Sequence, residues 1–211
     1  MKREINWTRL LLAFLIATFL FSLGIFLGFL AKGTITDASV SLQEGIRNDI
    51  INLETLYLLE DSFPCNEEII TITSQKLDYL GELITTLEVK RGKDAEDVLE
   101  LKKLYTILEI RHFLLTETRN EKCSGSHTTF LFFYSNDENC EGEVEKASFV
   151  LTFLRNKYDN IRVYSFDINL NSEIITTLKS EYNIKGCSGV VMNKEKIPFK
   201  VTKASQIEEL F

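Results

Sequence analysis

No charged residue occurs between Leu10 and Ala31, whereas charges stand close on both sides of that run. A helix of this length, at about 1.5 Å per residue, just crosses a hydrocarbon layer of roughly 30 Å. Further along, apolar positions recur with a helical period. After a polar stretch from Gly33 to Asp37, the residues Ile46, Ile50, Leu53 and Tyr57 follow one another at steps of four, three and four, an amphipathic helix ending near Asp61-Ser62-Phe63-Pro64. A second helix begins at Asn66, an N-cap residue followed by Glu67 and Glu68, and carries Leu77, Leu80, Ile84 and Leu87 on one face up to Arg91-Gly92-Lys93. A third starts near Asp94 and places Val98, Leu101, Tyr105, Leu108, His112 and Leu115 in a single stripe. That stripe reads as the seam of an antiparallel hairpin or small bundle.

At His127 the pattern changes from helical to strand-like. Thr128 to Ser135 is β-branched and aromatic, a buried strand, and a polar loop from Asn136 to Cys140 follows it. The remaining pattern predicts a helix over 141–158, a strand over 161–167, a helix over 172–182, short strands over 190–193 and 196–201, and a last helix over 204–211. The fold class is therefore α/β, in the order β-α-β-α-β-β-α, preceded by a transmembrane helix and a helical hairpin. The implied domains are a cytoplasmic N-terminus (1–9), a transmembrane anchor (10–31), an extracytoplasmic helical region (32–126) and a C-terminal α/β domain (127–211).

Charge sets the expected orientation. Lys2, Arg3 and Arg9 precede the apolar run, while only Lys32 and Arg47 follow nearby, so the short N-terminus is expected in the cytoplasm and everything after Lys32 outside the cell membrane. A cleaved signal peptide would have an apolar core of about 7–15 residues and a small-x-small site, and neither is evident. The whole chain carries 24 Lys and Arg against 31 Asp and Glu. The part beyond Lys32 has a net charge of about −10, which repels phosphate backbones and argues against nucleic acid as a partner. Membrane lipid around residues 10–31 and another protein are the expected partners, with a homo-oligomer through the helical region as a further expectation.

Residues with catalytic potential are few. His112 lies on the stripe of the third helix and reads as a core histidine hydrogen-bonded within the bundle; His127 opens a strand. Two isolated histidines supply no metal site, and the acidic loop near Cys140 has no ordered ligand spacing. No Gly-rich phosphate loop, Gly-x-Ser-x-Gly or His-Glu-x-x-His is present, and no cofactor is implied.

Phe130-Leu131-Phe132-Phe133-Tyr134-Ser135 with Cys140 at the start of the next helix, Arg162-Val163-Tyr164-Ser165-Phe166-Asp167, Tyr182-Asn183-Ile184-Lys185-Gly186, Val190-Val191-Met192 and the closing Ser205-Gln206-Ile207-Glu208-Glu209-Leu210 together resemble the thioredoxin-like family. The resemblance covers about 128–211 and implies a βαβ unit followed by a hairpin. A membrane-tethered helical segment before such a domain is similar to an arrangement found in archaeal membrane proteins. Two positions depart from the family. Cys140-Glu141-Gly142-Glu143 has glutamate where the second cysteine of Cys-x-x-Cys stands, and Ser188 replaces the cis-proline, so a trans bond is expected there.

Four cysteines permit three pairings, and outside the cytoplasm thiols oxidise. An antiparallel pair of helices places Cys65 beside Cys123, a structural disulfide expected to add roughly 2–4 kcal/mol. The resemblance implies that Cys140 and Cys187 approach across the family's active cleft. They read either as an exchangeable redox pair, with Cys140 attacking and Cys187 resolving, or as an inert staple. Asp137, Glu138, Glu141, Glu143 and Glu145 surround Cys140 with negative charge and disfavour its thiolate, which favours the staple. The expected function is a redox-degenerate, protein-binding or structural module. The alternatives are a thiol-disulfide oxidoreductase or isomerase for exported proteins, and a helical oligomerisation or partner-binding stalk.

Overall fold

The computed structural model of the chain describes residues 7–63, 65–123 and 127–210. Lys2 and Arg3 of the expected cytoplasmic flank, the helix-stopping Pro64 and the terminal Phe211 lie outside the described residues. The chain divides into two compact units, Met1–Ile51 and Asn52–Phe211.

The first helix, α1, spans Trp7–Ser62. Its Trp7–Leu27 portion is long and apolar enough to cross a membrane, and none of its described residues is buried within the protein. The polar stretch Gly33–Asp37 does not separate two helices, because α1 continues through it. Glycine in a helix interior costs only about 1 kcal/mol relative to alanine, and the chain has no proline before Pro64 to remove a main-chain donor.

In the second unit, the end of α1 buries Leu53 and Tyr57, and the Tyr57 hydroxyl donates to the Leu108 carbonyl at 3.1 Å. Helix α2 spans Glu67–Arg91 and α3 spans Glu96–Lys122. Asn66 caps α2 by accepting the Glu68 N–H at 2.9 Å, and Gly92 takes the positive φ that ends the helix. The buried face of α2 is the apolar stripe read from the sequence, with Leu77, Leu80, Ile84 and Leu87 inside. Helix α3 departs from its expected stripe. Val98, Leu108 and His112 of that stripe are buried, but Leu101, Tyr105 and Leu115 are only half-buried, while Lys102, Thr106, Glu109, Thr116 and Arg119, off the stripe, are buried. The helix packs against α2 on one side and the sheet on another, so its enclosed surface is wider than a hairpin seam.

The sheet contains β1 (Thr128–Tyr134), β2 (Ile161–Asp167), β3 (Ser188–Met192) and β4 (Glu195–Lys196), in the order β2-β1-β3-β4. β1 and β2 are parallel, joined through α4 (Glu141–Lys157), while β1–β3 and β3–β4 are antiparallel. Phe130 and Phe132 pack with Leu151 and Leu154 of α4 and with Ile207 of α6 (Ala204–Glu208) on one face. Leu131 and Phe133 pack with Phe113 of α3 and Ile175 of α5 (Glu173–Glu181) on the other. Covered on both faces, β1 is apolar at consecutive positions rather than alternating. The last strand is shorter and earlier than the expected 196–201, since Pro198 has no N–H to offer a ladder.

Candidate functional site

The antiparallel pairing of β1 with β3 sets Tyr134 opposite Ser188, so the chain leaving β1 and the chain entering β3 meet at one end of the sheet. From β1 the backbone passes through a single 3-10 turn, Glu138–Cys140, and Cys140 becomes the N-cap of α4. Before β3, Gly186 adopts φ +84°, which glycine tolerates without steric strain, and the turn delivers Cys187. Cys140 and Cys187 are disulfide-bonded, with Cα atoms 5.1 Å apart. Cys140 is 7% exposed and Cys187 half-buried, and the Ser135 N–H donates to the Cys187 carbonyl at 2.9 Å.

Glu143 and Ser188, the two departures from the family pattern, contact each other. The Ser188 hydroxyl donates to Glu143 Oε1 at 2.7 Å, and the Lys200 ammonium bonds Oε2. The Lys200 hydrogen bond, together with that from Ser188, holds the Glu143 carboxyl below its usual range. No peptide bond among the described residues is cis, Ser188 included. A groove of about 310 Å³ beside Cys187 is walled by Glu143, Lys200, Lys196, Pro198 and Phe199. Among the described residues, no group of three His, Cys, Asp or Glu side chains is placed to hold a metal ion.

The second disulfide joins Cys65, just before the N-cap of α2, to Cys123, the C-cap of α3, with Cα atoms 5.7 Å apart. Antiparallel packing puts these helix ends side by side. His112 lies between α2 and the sheet. Its Nδ1 is 2.8 Å from the Tyr164 hydroxyl and its Nε2 is 3.1 Å from Thr73 Oγ1 and 3.2 Å from Ser74 Oγ. His127 is placed elsewhere, its main-chain N–H and C=O both bonded to the Asn120 side chain at 2.8 and 2.7 Å.

A buried charge network escaped the sequence reading. Lys102 of α3, 5% exposed, pairs with Glu88 of α2 at 2.9 Å and with Asp167 at the end of β2. Burial lowers the Lys102 pKa, but the hydrogen bonds to Asp167 and Glu88 outweigh it and hold the group above its ordinary value. Asp167 also accepts the Asn136 side-chain N–H at 2.6 Å and the Asn169 main-chain N–H at 2.9 Å. Asn169 in turn accepts the Ser135 hydroxyl at 3.0 Å and the Asn136 main-chain N–H at 2.8 Å. The hairpin is thereby fastened to the loop that leads to Cys140.

Two buried groups give stability a pH profile. Burial raises the Glu109 carboxyl to about 8 and lowers His112 to about 3. Each contributes a slope of about 1.4 kcal/mol per pH unit between its unfolded and folded pKa. For His112 the unfolded chain binds the extra proton between pH 3 and 6.5, so stability rises with pH there. For Glu109 the folded protein holds the extra proton between pH 4.5 and 8, so stability falls with pH there. The two act in opposite directions from 4.5 to 6.5, where His127, lowered by burial, adds to the rise. Urea unfolding across this range is expected to show a rise at acid pH and, from pH 6.5 to 8, a loss of about 2 kcal/mol. Glu109→Gln is expected to remove the final descent. An unchanged descent in that variant would mean that another group causes it.

No family model, curated protein or solved structure matches this chain. What defines its class is a mixed α/β architecture with a four-stranded sheet, an N-terminal helix of membrane-spanning length and two disulfides.

Proposed function

We propose that this is a single-pass membrane protein with a cytoplasmic N-terminus, whose extracytoplasmic 127–211 region is a thioredoxin-like domain of degenerate redox type. It acts as a protein-binding or structural module. The observation that carries the reading is the burial of Cys140 within its disulfide, because exchange requires an accessible sulfur and a populated thiolate. The Glu143–Ser188–Lys200 contact beside the bond supports the same reading, since it places a hydrogen-bonded carboxylate at the position where a resolving thiol is expected from the resemblance. The parallel β1–α4–β2 unit and the antiparallel β3–β4 pair support the thioredoxin-like assignment. The apolar Trp7–Leu27 segment and the asymmetry of Lys2, Arg3 and Arg9 support the anchor and its orientation.

Redox titration of the full-length protein in nonionic detergent, with thiol trapping at each cysteine, tests this. The Cys140–Cys187 pair is expected to stay closed down to potentials below about −300 mV. Reversible opening between about −120 and −270 mV would replace the proposal with a thiol-disulfide oxidoreductase in which Cys140 attacks and Cys187 resolves.

A further inference from the structure

A groove of about 460 Å³ in the second unit is walled by Glu54, Tyr57 and Leu58 of α1 and by Arg111, Leu114 and Leu115 of α3. The two helices run in the same direction along it, since Glu54 pairs with Arg111 at 3.0 Å and the bond from Cys65, just beyond α1, to Cys123 joins their C-terminal ends. Leu58 stands one helical turn past Glu54 and Leu114 nearly one turn past Arg111, so the two leucines form a level of their own beyond the ion pair. They are 72% and 55% exposed, and Ile107, about one turn before Arg111, is exposed as well. Single apolar side chains at a surface need no explanation, but several gathered along one groove mark a surface that something covers. A small polar ligand finds little to hold here, because Glu54 and Arg111 neutralise each other and the Tyr57 hydroxyl is bonded to the Leu108 carbonyl.

Charge decides what covers the groove. The chain beyond Lys32 has a net charge of about −10, so copies repel one another over most of their surface. This face instead carries one acid and one base, each 49% exposed and able to share its outer edge with a further partner. A twofold axis parallel to α1 and α3 exchanges the two helices, which sets Glu54 opposite the partner's Arg111 and Leu58 opposite the partner's Leu114. The face is thus its own complement, as an isologous contact requires. A foreign protein would have to match both the charges and the leucines at this spacing, whereas a second copy does so by identity. The membrane tether of the proposed reading confines the copies to one layer and raises their effective concentration, which favours a contact too small to be tight by itself.

From this arrangement we infer that two copies of the chain associate through the α1–α3 groove, α1 of each packing against α3 of the other around two intermolecular Glu54–Arg111 pairs and two Leu58–Leu114 contacts. The inference rests on the proposed reading for the tether alone and not on the state of the Cys140–Cys187 pair, so reversible opening of that bond leaves it standing.

Analytical ultracentrifugation of the full chain in nonionic detergent, from about 1 to 100 μM, tests the inference. A monomer–dimer equilibrium with a constant of about 10 μM is expected. Leu58→Glu is expected to weaken it about tenfold or more, and Phe149→Ser, an equally exposed apolar position on α4, to leave it within about twofold. Glu54→Arg and Arg111→Glu each set like charges opposite one another, so each variant alone is expected to be monomeric. An equimolar mixture of the two restores opposite charges across the axis and is expected to dimerise as the parent does. Both side chains are exposed, so neither exchange threatens the fold, and recovery on mixing cannot come from the pair within one chain. The inference is overturned by a parent chain that stays monomeric at about 100 μM, which would leave the groove to a foreign partner. It is equally overturned by a dimer that survives Leu58→Glu, which would place the contact on another face such as the apolar anchor, or by charge variants that fail to recover on mixing.

Discussion

Replacing Lys102 with methionine is expected to destabilise the protein by about 3–5 kcal/mol, the largest effect of any single change considered. Methionine fills nearly the same volume, so the loss is not one of packing. It arises because Asp167, only 5% exposed, keeps its charge in a place from which its cation has gone. The hydrogen bonds from Asn136 and Asn169 satisfy its lone pairs in part but supply no positive charge. Urea unfolding of the full chain in nonionic detergent measures the change. The double variant Lys102→Met/Asp167→Asn is expected to recover part of the loss, giving a coupling energy of about 1–3 kcal/mol. Because the pair is enclosed, raising the salt concentration is expected to alter that coupling little. A single-variant cost below about 1 kcal/mol would place the pair with exposed bridges and sink the claim that it fastens α3 to the sheet.

Serine at both Cys65 and Cys123 is expected to cost about 4 kcal/mol. The two cysteines are 58 residues apart, and closing a loop of that length removes chain entropy from the unfolded state in roughly that amount. For a unit of this size the midpoint of thermal unfolding is expected to fall by about 10 °C. The thiol-trapping pattern of Cys140–Cys187 is expected to remain that of the parent protein, since the second bond lies within the sheet region. A midpoint that moved by less than about 2 °C would show that α2 and α3 are held together without the bond. Loss of the Cys140–Cys187 bond as well would show that the hairpin guides that pairing.

Local signals along the chain correspond to the elements they announce. Asn66 followed by two glutamates starts α2, Gly92 ends it, and the run from Thr128 to Tyr134 forms a doubly covered strand because nothing polar interrupts it. Long-range packing was harder to read. Lys102, Thr106, Glu109, Thr116 and Arg119 recur at helical spacing and look in sequence like a solvated face, yet tertiary packing encloses them between α2 and the sheet. The same limit applies to the candidate site. The four cysteines and Ser188 stand out in the sequence by their chemistry and the family pattern. The contact among Glu143, Ser188 and Lys200 requires knowing that α4 and the chain after β4 converge on the start of β3.

The placement of β1 at the centre of the sheet has a consequence for biogenesis. Its run of Phe130, Leu131, Phe132 and Phe133 is rich in β-propensity and uncharged, the composition of segments that self-associate when left unpaired. Its neighbours arrive late: β2 only after the whole of α4, and β3 more than fifty residues further along the chain. A nascent chain therefore presents one edge of this segment unpaired for as long as synthesis takes to deliver the more than fifty residues between Tyr134 and Ser188. High contact order of this kind slows folding and lengthens exposure to aggregation. Truncation before Ser188 would leave one edge of β1 permanently open, making β3 the element on which aggregation-free production of this protein depends.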